Sequence, residues 1–241
     1  MSDPKPESGG STSGSDRWQI GHFFADVGVE SEPLSAYGEI WRYGLDPRET
    51  RFTDHHITVD LAADVPPIPV DGFDLGLFHP PCHKWTQRAG EDAANLIPRA
   101  RELAEKHCDE WIIENQAGAP LRDPVILDGS MFGLPVEYER AFETSYAIDQ
   151  PRSDSGWSSE HRVENTRPKR YWKTVKGVTA DYPSKPLILS GTPACYVHYL
   201  VRPLVDPYHE VDTRQASLVP AADGGETPDK QDTGSDQEGD S

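Results

Sequence analysis

FDLGLFHPPC (73–82), followed by a polar and apolar mixture over 93–107 and then WIIE (111–114), decides the fold. The apolar run 73–78 stops at His79-Pro80-Pro81, because proline cannot donate to a strand ladder. Over 93–107 the period changes. Leu96, Ile97, Ala100, Leu103, Ala104 and His107 share one helical face, with Arg99, Arg101, Glu102 and Glu105 opposite. WIIE is apolar again. Strand, helix, strand in this order is a βαβ unit, which requires a parallel sheet. Working outward, QIGHFFADV (19–27), EIWRYGL (39–45) and HITVDL (56–61) read as earlier strands, and 125–127 and 141–146 as later ones. Each is a short apolar run between turn residues, the pattern of strands buried on both faces. A further helix is expected over 194–204. The fold class is α/β, a doubly wound, mostly parallel, Rossmann-like sheet.

The ends of the chain differ from this middle. Residues 1–16 are Ser, Gly, Pro and Asp with almost nothing to bury, and 206–241 contain no Trp, Phe, Ile or Met. Such segments cannot offset the entropy of ordering, so both are expected to be disordered tails. The organisation expected is a catalytic core over 17–148, a small basic region over 149–186 and a helix over 187–205 that completes the core. Net charge is −18, of which 206–241 carry ten acids against two bases, or −8. An acidic surface poor in Lys keeps a protein soluble in concentrated salt, which suggests a halophilic host; an ordinary acidic cytosolic protein has the same composition. The three cysteines form no C-x-x-C pair and no Cys/His cluster has zinc spacing, so no disulfide framework and no metal is expected. No apolar run is long enough to span a membrane, and the N-terminus has no signal-peptide core. These features predict a cytoplasmic protein with no membrane partner, most simply a monomer.

In open α/β sheets ligands bind beyond the carboxyl ends of the strands. Cys82 follows one strand and Glu114 closes the next, so neighbouring strands would bring both into one crevice. Together they suit one task. The C5 carbon of cytosine is a poor nucleophile; a thiolate adding to C6 turns the ring into an enamine and makes C5 reactive. A carboxylic acid at N3 and the exocyclic amine stabilises that adduct. Pro80-Pro81 would stiffen the loop that carries the sulfur, and a strand–helix junction would favour the thiolate. Standing alone, a cysteine after a strand is more often a buried small hydrophobe, and a glutamate at a strand end is often a solvated cap.

The motifs taken in order resemble the cytosine-5 DNA methyltransferases. DLGLFHPPCHKWT (74–86) is similar to that family's nucleophile motif, and WIIENQAGAPL (111–121) to its Glu-Asn motif. LDGSMFGLPVEYERAFET (127–144) resembles a segment of short, phage-type members, and SGTPACYVHYLVRPL (190–204) the final helix. The resemblance implies S-adenosylmethionine as methyl donor, no metal, and Cys82, Glu114 and Arg140 as catalytic residues, Arg140 contacting an extruded cytosine. HFFADVGVES (22–31) is similar to the family's first motif. That implies Phe24 stacking on adenine, Gly28 admitting the methionine part, and Pro80 at the cofactor. Asp46 would hold the ribose and Asp60 the adenine amine; solvated loop carboxylates account for either equally well. Asp26 stands where a glycine is expected, His83 replaces a polar amide, and Tyr138 and Glu139 occupy positions where a second arginine is common.

Residues 161–185 carry seven bases and two acids in an otherwise acidic chain. They fall where the family places target recognition, and phosphate contacts come from Lys and Arg. Arg167, Lys169, Arg170, Lys173 and Lys176 are therefore candidate contacts to double-stranded DNA, with Tyr171 and Trp172 able to pack against sugar or bases. A solvated basic loop is the alternative. The same chemistry on RNA, and a DNA-binding module that has lost its cofactor through Asp26, are the other functional readings.

Overall fold

The computed structural model describes residues 17–85, 94–153 and 167–205. In chain order these form β1 (Trp18–Phe23), α1 (Ser31–Leu34), β2 (Gly38–Gly44), β3 (His55–Thr58), β4 (Phe73–Phe78), α2 (Ile97–His107) and β5 (Cys108–Asn115). There follow β6 (Val125–Leu127), β7 (Arg140–Thr144), α3 (Lys169–Lys176), α4 (Ser184–Leu189) and α5 (Ala194–Val205). The strands make one sheet in the order β3-β2-β1-β4-β5-β7-β6. Strands β1 to β5 pair in parallel, and β7 is antiparallel to β5 and β6. This is a doubly wound, mostly parallel, Rossmann-like sheet. The chain winds outward from β1 to β3 and then crosses back to β4, so the switch point lies between β1 and β4. Their carboxyl ends are tied by the His79 amide donating to the Phe23 carbonyl at 3.0 Å.

Strand β4 spans the quoted run 73–78. β1 ends at Phe23, short of the apolar run through Val27, because Phe24 turns out of the strand at φ 57°. Helix α2 starts at Ile97 with Pro98 in its first turn, where a missing N–H costs nothing; the part of the expected helix at 93 lies outside the described residues. Its polar face is not simply solvated. Arg101 clamps Glu143 of β7 through two bonds of 2.7 and 2.6 Å.

The sheet is covered on both faces. Ile20, Ile40, Leu75, Leu77 and Ile112 pack with Trp172, Val175, Leu187, Ile188, Tyr196 and Leu200 of α3 to α5. Phe23, Tyr43, Phe73, Phe78 and Ile113 pack with Ala100, Leu103 and Ala104 of α2. Each large apolar side chain buried this way contributes about 1.5–3 kcal/mol. The stretch 149–185, which shows neither period in sequence, contains α3 and the start of α4, and the apolar residues of both helices belong to the same cluster as the strands. The expected tails, 1–16 and 206–241, lie outside the described residues. Among the described residues no helix is long and apolar enough to cross a membrane.

Candidate active site

A pocket of about 340 Å³ opens at the switch point, lined by the 24–30 loop after β1, the 79–83 loop after β4, Glu114, Pro186, Ser190 and Gly191. Cys82 and Glu114 both line it. Cys82 follows β4 and Glu114 lies in its parallel neighbour β5, because Leu77 and Phe78 of β4 pair with Ile112 and Ile113 of β5. Asn115, buried next to Glu114, donates from Nδ2 to the Pro80 carbonyl at 2.9 Å and so holds the Pro80-Pro81-Cys82 turn against β5.

Glu114 is nearly buried, and both its oxygens are occupied. Oε1 lies 3.0 Å from Arg140 Nε, and Oε2 accepts from His79 Nδ1 at 3.0 Å. Arg140 is itself held. Its Nη1 donates to the Glu139 carbonyl, and its Nη2 to the Tyr138 hydroxyl and the Leu189 carbonyl. The guanidinium also lies 4.1 Å over the Tyr138 ring. Burial works against the Arg140 charge, but Tyr138, Glu114 and Cys82 outweigh it. Arg140 does not line the pocket; its link to it runs through Glu114.

The other two thiols are unsuited to catalysis. Burial pushes Cys108 and Cys195 up to about 12, so neither supplies thiolate near neutral pH. Cys82 is half-buried at the pocket wall. Thr86 of the same motif lies outside the described residues.

On the cofactor side, Phe24, Gly28 and Pro80 line the same pocket, whereas Asp46 and Asp60 do not. Both acids are exposed after β2 and β3; Asp60 caps its own turn by accepting from the Ala62 amide at 3.0 Å. Asp26, at the position of the expected glycine, is held within the fold. Its carboxylate turns back to accept from the Asp46 amide at 3.0 Å, and Gly44 leaves the room it needs. Gly28 is required for a reason internal to the fold. It sits at φ +62°, and a Cβ there would lie 2.3 Å from the guanidinium of buried Arg42. Gly28→Ala is expected to cost about 1–3 kcal/mol from backbone strain alone, with the Arg42 overlap added; thermal unfolding measures it. Phe24, a pocket-lining aromatic held in left-handed backbone, and a side-chain-free Gly28 form a cradle that fits an adenosyl group with a flexible amino-acid tail.

The basic candidates divide. Arg170 is exposed, Arg167 is exposed with its guanidinium 5.8 Å from the Tyr171 ring, Lys169 pairs with Asp181, and Lys173 donates to the Thr179 carbonyl. Lys176 is a correction. It is fully buried on the inner face of α3, with its Nζ over the Tyr138 ring. Burial and Arg140 push its pKa well below the usual lysine range. A group so placed cannot reach phosphate. Trp172 is likewise fully buried and is core rather than a base-packing residue.

Sequence reading also passed over His22, Glu30 and His79, which the fold gathers beside Glu114. They come from the end of β1, the loop after it and the end of β4, so no spacing along the chain marks them.

The fold is a doubly wound, Rossmann-like sheet with a pocket at its switch point. No protein-family model and no curated protein matches the chain. Among 53 solved chains that match, the S. pombe Dnmt2 methyltransferase superposes with a TM-score of 0.50 at 11% identity, over 80% of this chain and all of its own. The Entamoeba histolytica methyltransferase EhMeth superposes with a TM-score of 0.53 at 10% identity, over 81% of this chain and all of its own. At such identities the likeness establishes the fold.

Proposed function

We propose that this chain is a DNA cytosine-5 methyltransferase using S-adenosylmethionine, with Cys82 as nucleophile and Glu114 as the acid at the base. The observation that carries the reading is the pairing of Cys82 and Glu114 in one pocket at the switch point of a methyltransferase fold. S-adenosylmethionine, when bound, supplies an electrophilic methyl group; Phe24, Gly28 and Pro80 would hold it. Cys82 Sγ adds to C6 of an extruded cytosine. Glu114 in its acid form gives its proton to N3 as Sγ adds, and its other oxygen accepts from the exocyclic amine. C5 would then attack the donor's methyl carbon, whose bond to the sulfonium sulfur breaks to leave a neutral thioether; water entering the open pocket takes the C5 proton, the freed electron pair re-forms the C5–C6 double bond, Cys82 leaves as thiolate, and N3 returns its proton to Glu114. Arg140 and His79 keep the Glu114 carboxyl aimed at the base. Extruding the base requires grip on the backbone, and Arg167, Lys169, Arg170 and Lys173 on and before α3 would provide it.

Incubation of the full chain with methyl-labelled S-adenosylmethionine and either duplex DNA or RNA tests this, with mass spectrometry of the nucleosides as readout. 5-Methylcytosine in DNA is the expected product. Product in RNA alone would move the substrate to RNA, and no transfer to either would end the reading.

Lys169→Glu with Arg170→Glu is expected to weaken duplex DNA binding and reduce the slope of log K against log salt by about 2. Cofactor affinity should not change. The lost Lys169–Asp181 pair is exposed and screened by solvent, so the fold should survive.

A further inference from the structure

We propose that His22, Glu30 and His79 form a binding site for a divalent transition-metal ion, Zn²⁺ by ligand chemistry, in the wall of the pocket. Each residue offers one ligand atom, and the three atoms lie within 4.8 Å of one another. Glu30 Oε2 is 3.8 Å from His22 Nε2 and 3.9 Å from His79 Nε2. These separations are too long for hydrogen bonds, and both Nε2 atoms are buried with no hydrogen-bond partner. Two orphaned imidazole nitrogens facing a carboxylate oxygen are costly to leave unpaired. An ion between them satisfies all three. Metal bonds of about 2.0–2.1 Å in tetrahedral geometry put ligand atoms about 3.4 Å apart, so the side chains need draw in only modestly.

The remaining atoms are arranged as ligating groups require. His22 Nδ1 is 2.9 Å from Ser31 Oγ, His79 Nδ1 donates to Glu114, and Glu30 Oε1 accepts from the Thr192 amide at 2.5 Å. Each ligand is thus oriented by a second partner that turns its free atom toward the centre, the pattern that fixes metal-binding imidazoles and carboxylates. Two imidazoles and one carboxylate suit Zn²⁺ and leave a fourth position. Since Glu30 and His79 line the pocket, that position opens toward it.

The full chain, stripped with a chelator, would be titrated with Zn²⁺ by calorimetry, with bound metal counted by elemental analysis. One equivalent is expected, and occupancy should raise the melting temperature. His79→Asn and Glu30→Gln should each weaken binding by at least about 100-fold while circular dichroism stays native. His79 is at the pocket edge, so if Glu30→Gln fails to fold, His79→Asn decides. No stoichiometric binding by the unmodified chain, or binding that survives His79→Asn in a folded protein, overturns the site. Neither methyl donor nor nucleic acid enters the titration, so its outcome is independent of the proposed methyl transfer.

Discussion

Cys82→Ser is expected to lower methyl transfer to cytosine by at least about 10³-fold, equivalent to about 4 kcal/mol of transition-state stabilisation. A serine hydroxyl needs a general base to become a nucleophile, whereas a thiol is already a few per cent thiolate at neutral pH. Within the described residues, the side chains beside Cys82 in the pocket include His79 and Glu114, and both are already bonded to each other. No other thiol can substitute, because burial pushes Cys108 and Cys195 up to about 12. Stability should hardly change. Cys82 is half-buried in a loop, and serine preserves its volume and its backbone bond to Trp85. The assay is single-turnover transfer from labelled S-adenosylmethionine, with thermal unfolding alongside. Activity within a few-fold of the unmodified chain would remove Cys82 from the chemistry.

The sheet could be read from sequence because its strands obey a local rule. Phe73–Phe78 and Trp111–Glu114 are apolar runs bounded by proline or polar residues, and buried strands need nothing more. Boundaries failed where one residue's conformation overrode hydropathy, as at Phe24, which leaves β1 in left-handed backbone. Helix α3 was hidden because a buried position on its inner face is a lysine. Lys176 lies beneath Tyr138, 38 residues earlier in the chain, and no local period encodes that contact. Cys82 and Glu114 were legible since each ends a recognisable strand. Their supports were not. His79, Glu30 and His22 converge only after β1 and β4 pair, and the pairing of Arg140 with Glu114 depends on β7 running antiparallel beside β5.

The same convergence sets the second large effect. Glu114→Gln is expected to lower turnover by about 10²–10⁴-fold, the usual contribution of a positioned proton donor. An amide can still hydrogen-bond a pyrimidine but cannot release a proton to N3 as the thiolate adds. It also disturbs its own neighbours. The carboxylate accepts from Arg140 on one oxygen and from His79 on the other. Glutamine has one acceptor, so its NH₂ must face one of those donors. The conflict leaves a buried group unpaired, which costs about 1–3 kcal/mol. DNA affinity in a gel-shift assay should fall far less than the single-turnover rate, since the phosphate contacts proposed on α3 are untouched. A Glu114→Gln protein that is destabilised yet transfers methyl at the normal rate would reduce Glu114 to a structural anchor for Arg140 and His79, and the acid would have to come from elsewhere in the pocket.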